Sequence, residues 1–221
     1  MQLSDQRSAW RGLFASALAA AVLLAHAPAF AGAQREEQLA PSVQAGLTKA
    51  IADAPVPANY AARPELAAWI SEMSRRIAHK VADERERREL LATVHYEATR
   101  AGLDPQLVLG VIYHESGLKK YAFSIAGARG YMQVMPFWVK QIGTPDQNLF
   151  NLRTNLRYGT VILRHYLDLE NGDYYRALGR YNGSLGQAEY PTAVLAALNR
   201  HFAYTPSAPA AIISVAVPAP R

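Results

Sequence analysis

A mainly α fold follows from three features of the sequence. Apolar residues recur at intervals of three and four in successive stretches between Glu65 and Phe202, the spacing of one helix face. Helix-start signals, Asp104-Pro105 and Asp173, stand directly ahead of two of these stretches. No run alternates apolar and polar as a half-buried strand does, and no internal repeat is present. With 221 residues, 50% of them hydrophobic and 19% charged, the chain has a globular composition and room for one domain of ordinary size with extensions.

Residues 1–33 have the layout of a secretory signal peptide. Arg7 and Arg11 give a basic start, Leu13 to Leu24 an Ala-rich apolar run, and Ala29-Phe30-Ala31 and Ala31-Gly32-Ala33 two small-residue cleavage options. The run is shorter than the about 20 apolar residues of a membrane span, so cleavage is expected rather than a retained anchor. The sequence holds no cysteine, which removes disulfides, thiolate metal sites, cysteine nucleophiles and a lipidated N-terminal cysteine. Net charge is +5 and falls by one with the signal. That excess suits an anionic polymer and ordinary solubility equally.

Residues 34–63 are rich in Ala and Pro with weak periodicity, and read as a linker or loosely structured lead-in. Glu65 to Val81 carries Leu66, Trp69, Ile70, Met73 and Ile77 on one helical face. Asp83 to Arg100 opens with alternating charges and buries Leu90, Leu91, Val94 and Ala98. Its arginines interleave with acids and have no aromatic partners, so a solvated face is expected and not a nucleic-acid site. These two helices make residues 64–97 an N-terminal helical extension. Further helices are expected over Asn155–Leu169, from Asp173 through Tyr181, and from Thr192 to Phe202. The Ala/Pro-rich tail, residues 203–221, is expected to be disordered.

The chemistry centres on Val108 to Pro136. Asp104 caps a helix that Pro105 starts, Leu107, Val108, Val111 and Ile112 form its stripe, and Gly117 tolerates the left-handed turn that ends it. Glu115 therefore falls in the last turn, where the helix dipole disfavours a carboxylate. Desolvation would add to that effect and raise its pKa, as a general acid requires. An exposed Glu paired with Lys119 is the commoner state of such a residue; the Gly-rich loop that follows favours the acid.

Other chemistries find little support. His114-Glu115 lacks a second histidine at metalloprotease spacing, position 118 being Leu, and the other histidines are scattered. Asn182-Gly183-Ser184-Leu185-Gly186 is not a nucleophile elbow, and no phosphate loop with its lysine occurs.

His114-Glu115-Ser116-Gly117, Ser124, the run from Gly127-Ala128 through Gly130-Tyr131-Met132-Gln133-Val134-Met135-Pro136, and Tyr181-Asn182 occur in that order. The set resembles the soluble lytic transglycosylase (SLT) catalytic domain, from roughly Ala98 to Arg200. The resemblance implies a compact, lysozyme-like helical domain of the goose-type/SLT kind over residues 98–202, with little or no β structure. It implies Glu115 as the sole catalytic carboxylate, protonating the bond between N-acetylmuramic acid and N-acetylglucosamine. Glu115 would then act as base on the muramoyl 6-hydroxyl, leaving a 1,6-anhydro end. Ser124, Gln133, Met135, Tyr181 and Tyr190 would line the sugar cleft, with Asn182 fixing a turn.

Agreement comes from the absence of any Asp or Glu between Glu115 and Asp146, since ordinary glycosidases pair two carboxylates across the bond. Tyr131 stands where the family usually has Leu, and Arg180 where it has Ala. Expected partners are peptidoglycan glycan strands and no nucleic acid, with no metal or other cofactor. A monomer is expected, exported to the periplasm or peripheral to the cell wall, with no integral span once the signal is removed. Recruitment by a cell-wall or secretion machinery is a further expectation. A non-catalytic wall-binding or secretion-assembly protein and a hydrolytic muramidase stay open as alternatives.

Overall fold

The computed structural model describes residues 34–52, 56–57 and 59–205. The signal peptide and the tail from residue 206 onward lie outside them. The helices are α1 (Pro41–Ile51), α2 (Pro64–Ile77), α3 (Glu84–Arg100), α4 (Pro105–Ser116), α5 (Phe137–Ile142), α6 (Leu152–Leu169), α7 (Tyr174–Asn182) and α8 (Glu189–Ala197). A short 3-10 turn, Tyr60–Ala62, precedes α2, and α8 runs on into a wider π turn, Leu198–Phe202. Among the described residues there is no strand, only isolated bridges joining Phe123 to Arg129 and Arg129 to Val134.

The caps explain most boundaries. Asp83, Asp104, Asn151 and Asp173 each accept a backbone N–H from the first turn of α3, α4, α6 and α7, satisfying donors that have no helical partner. Gly117 ends α4 at φ 58° and Gly183 ends α7 at φ 75°, the left-handed stop that glycine takes without a Cβ clash. The helix expected to reach Val81 stops at Ile77, and the last one starts earlier than Thr192, so Tyr190 lies in its first turn.

Helix α4 is the centre of the molecule. Leu107 through Ile112 are all buried, not just one stripe, because α3, α8 and the π turn surround it. A helix apolar on all sides is what such enclosure requires. At Gly110 a Cβ would lie 3.1 Å from the Val194 carbonyl, so α8 packs backbone-close against α4. Around this pair α2 packs on α3, α3 on α6, and α6 on α7.

The lead-in corrects one expectation. Residues 41–51 form α1, which buries Leu47 and Ile51 and packs on α5 and α6. The segment is pinned by side chains distant in sequence: Gln141 donates to the Glu37 carbonyl at 2.9 Å, and Arg157 to the Ala52 carbonyl at 3.0 Å. Its composition concealed it because short helices owe most of their stability to tertiary packing.

Candidate active site

Glu115 stands in the last turn of α4, one residue before its end. Its Oε1 accepts the Tyr190 hydroxyl at 2.6 Å, and the Asn182 side chain also hydrogen-bonds it. Those partners come from the first turn of α8 and the last residue of α7. The residue as a whole keeps some exposure, but its carboxyl group is deeply desolvated. Burial therefore pushes its pKa up to about 8, against the opposing pull of the Tyr190 and Asn182 bonds. Lys119 forms no ion pair with it, and among the described residues no other carboxylate contributes to the shift. Tyr190 is buried, and burial together with the neighbouring Glu115 keeps its hydroxyl far from ionising. The His114 ring packs edge-on against Tyr190 at 5.0 Å, and burial lowers its pKa.

The loop between α4 and α5 carries three more of the expected site residues, Ser124, Gln133 and Met135. Ser124 makes a tight turn: its backbone N–H donates to the Ala128 carbonyl at 3.1 Å and its hydroxyl accepts the Ala128 N–H at 3.0 Å. That turn leaves Tyr121, Phe123 and Ile125 exposed. The chain then returns through Gly130, φ 73°, where a Cβ would meet Asn155 Nδ2 at 2.5 Å and the Leu149 carbonyl at 2.6 Å. No side chain fits there without moving the loop.

Gln133 also has positive φ, 47°, a conformation that costs a non-glycine residue about 1 kcal/mol or more. Its amide nitrogen donates to the carbonyls of Ala122 at 3.1 Å and Gly130 at 2.9 Å, so both hydrogens hold the loop and Oε1 remains for other contacts. Met135 is partly buried against the core. Tyr131 is buried with its hydroxyl on Glu86 at 3.3 Å, tying the loop to α3.

Of the expected site residues, the structure joins Glu115 and Tyr190 directly. Tyr181 is fully buried and donates to the Met132 carbonyl at 2.7 Å; it supports the loop from behind and makes no direct bond to the acid. Ser124 and Gln133 shape the loop. Three further residues matter. Asn182, expected to fix a turn, bonds Glu115. Asn155 accepts the Met132 N–H at 2.8 Å and donates to the Arg129 and Leu149 carbonyls at 2.7 and 2.9 Å. Gln34 reaches the same loop from the N-terminal segment. Only Asn182 carried a sequence signal, its place after Tyr181. Among the described residues no group of three or more His, Asp or Glu side chains gathers as a metal site would.

Comparison with known proteins gives a family for the central part of the chain. Residues 92–193 match the model of the transglycosylase SLT domain, beginning inside α3 and ending inside α8. A transglycosylase of Enterobacteria phage PRD1 is 36% identical over 98 residues, covering 44% of this chain and 36% of that protein. A membrane-bound lytic murein transglycosylase C of Actinobacillus pleuropneumoniae is 39% identical over 85 residues, 34% of this chain and 23% of that protein. One from Histophilus somni is 35% identical over 105 residues, 42% and 28% respectively. The chain thus spans between 23% and 36% of the length of these relatives. On helical fold, motif order and sequence match together, residues 92–193 are similar to the transglycosylase SLT domain family.

Proposed function

We propose that the protein is a peptidoglycan lytic transglycosylase in which Glu115 acts alone, first as acid and then as base. The observation that carries this reading is a desolvated carboxyl with a pKa raised to about 8, bonded by Tyr190 and Asn182 and influenced by no second carboxylate. At neutral pH the group holds its proton. It delivers that proton to the oxygen between N-acetylmuramic acid and N-acetylglucosamine as the bond breaks. The Tyr190 hydroxyl and Asn182 amide then stabilise the carboxylate.

With no paired acid to serve as nucleophile, the muramoyl acetamido group supports the developing positive charge. The carboxylate removes the proton of the 6-hydroxyl as that oxygen attacks C1. Glu115 recovers its proton and the product carries a 1,6-anhydro end. An oxygen held in the same sugar competes against water through its very high effective concentration. Gln133 Oε1 and Met135 offer a hydrogen-bond acceptor and an apolar wall to the glycan. Export by the N-terminal segment brings the protein to its wall substrate; no described helix is long and apolar enough to cross a membrane.

Mass spectrometry of digested sacculi tests the reading. Anhydro ends are expected from the parent and near-complete loss of cleavage from Glu115→Gln, with sacculus binding kept. Reducing ends would make the protein a hydrolytic muramidase, and binding without cleavage a non-catalytic wall protein.

A further inference from the structure

A buried amide from outside the SLT match completes the acid site. Gln34 is 5% exposed and lies far upstream of the matched residues 92–193. Its Nε2 donates to the Gln133 carbonyl at 3.3 Å, its Oε1 accepts the Met135 N–H at 3.1 Å, and it hydrogen-bonds the Tyr181 hydroxyl. Tyr181 in turn donates to the Met132 carbonyl. One side chain and its tyrosine neighbour therefore satisfy the carbonyls of residues 132 and 133 and the N–H of residue 135. These loop groups have no helical or strand partners, and a buried backbone group must find one. The turn they belong to is the one that holds Gln133 at positive φ.

We infer that Gln34 is a positioning residue, locking the Met132–Met135 turn and Tyr181 against each other so that Asn182 and the cleft wall meet Glu115 in register. The linkage is short: Tyr181 is bonded to Gln34, Asn182 follows it in the chain, and Asn182 bonds Glu115. The segment carrying Gln34 is itself fastened. Gln141 holds the Glu37 carbonyl, and the α1 side chains Leu47 and Ile51 are buried. Gln34 thus works from a fixed anchor, as an outer residue must if it is to orient an inner one.

The kinetic part of the test rests on the proposed activity; the spectroscopic part does not. In the full chain, Gln34→Met keeps the volume and removes all three bonds. Expected are kcat lower by on the order of tenfold with KM little changed, because small misplacements near the reacting bond are costly, and faster hydrogen exchange at the Met135 amide. Gln34→Glu keeps an acceptor and adds a carboxylate beside Tyr181. The groups facing Glu115 are otherwise Tyr190 from α8, Asn182 and Tyr181 from α7, and on its own helix His114, whose ring packs on Tyr190. The added carboxylate is therefore expected to move the Glu115 titration, followed by carboxyl NMR, upward. Unchanged Met135 exchange with an unmoved titration, or a kcat loss wholly matched by loss of folded protein, overturns the inference. If the parent cleaves no peptidoglycan, the functional reading falls while the exchange and titration measurements still decide the role of Gln34.

Discussion

Glu97 and Glu115 are both withdrawn from water, and their surroundings differ in kind. Glu97, 0% exposed on α3, meets Arg157 through bonds of 2.7 and 3.1 Å and Arg100 through one of 3.1 Å. Its partners are guanidiniums, Arg157 in forked geometry, which hold a carboxylate by charge. Glu115, on α4, meets a hydroxyl and an amide. The first arrangement joins α3 to α6 and, through the Arg157 bond to the Ala52 carbonyl, to the end of α1. The second raises the carboxyl pKa to about 8, as a general acid requires. Desolvation raises the Glu115 pKa, and its neutral donors offset that only in part.

Two substitutions to glutamine separate these roles. Glu115→Gln is expected to lower the rate of anhydro-end formation by on the order of a thousandfold or more, the range of a lost general acid, while the fold persists. Turnover on sacculi at the parent's rate would assign the acid elsewhere. Glu97→Gln is expected to do the reverse. It strips Arg157 of its bonds to a buried carboxylate and should cost about 3–5 kcal/mol of stability, read by denaturant unfolding. Activity per folded molecule should stay near the parent's. If Glu97→Gln unfolds with the parent's midpoint, the pair is not the joint between α3 and α6.

What could be read from the sequence divides along the same line. The cap at Asp104, the stop at Gly117 and the last-turn position of Glu115 are local facts, each settled within a few residues, and the structure has them in place. The resemblance pointed to Tyr190, and the structure bonds it to Glu115. The Glu97–Arg157 pair, the Asn155 bonds to the loop and the Gln34 contacts join residues far apart in sequence. No periodicity announces such a pairing. Helix α5 escaped notice for another reason. It has only 6 residues and no side-chain cap, so its formation depends on burying Phe137, Trp138 and Ile142. Tyr181 shows the limit of a motif match: the residue is where the pattern puts it, yet its hydroxyl serves the Met132 carbonyl.

The pH dependence of stability sharpens the contrast. The native-state pKa of Glu115 is raised to about 8, so folding favours the protonated group. That contribution is fully present below the ordinary Glu range and is lost as pH rises toward about 8, where the native state can no longer hold a proton the unfolded chain released earlier. The parent should therefore weaken relative to Glu115→Gln across this window, by on the order of 3 kcal/mol. Parallel unfolding curves for the two proteins at about pH 5 and about pH 8 measure it. A gap that does not widen would mean the carboxyl is better solvated than its position suggests.

The smallest expected effect tests whether the neutral donors matter at all. Tyr190→Phe removes the 2.6 Å bond to Glu115 and leaves the ring against His114. Because that bond favours the charged carboxyl, its loss should raise the Glu115 pKa further. The acid form then persists to higher pH, while the carboxylate that must deprotonate the 6-hydroxyl is less stable when formed. A neutral hydrogen bond is worth about 1 kcal/mol, so kcat at neutral pH should fall by roughly five- to tenfold, with the alkaline limb of the rate profile displaced upward. A lower rate with an unmoved limb would mean that Tyr190 acts on the sugar and not on the acid. The difference between Glu97 and Glu115 would then rest on desolvation and Asn182.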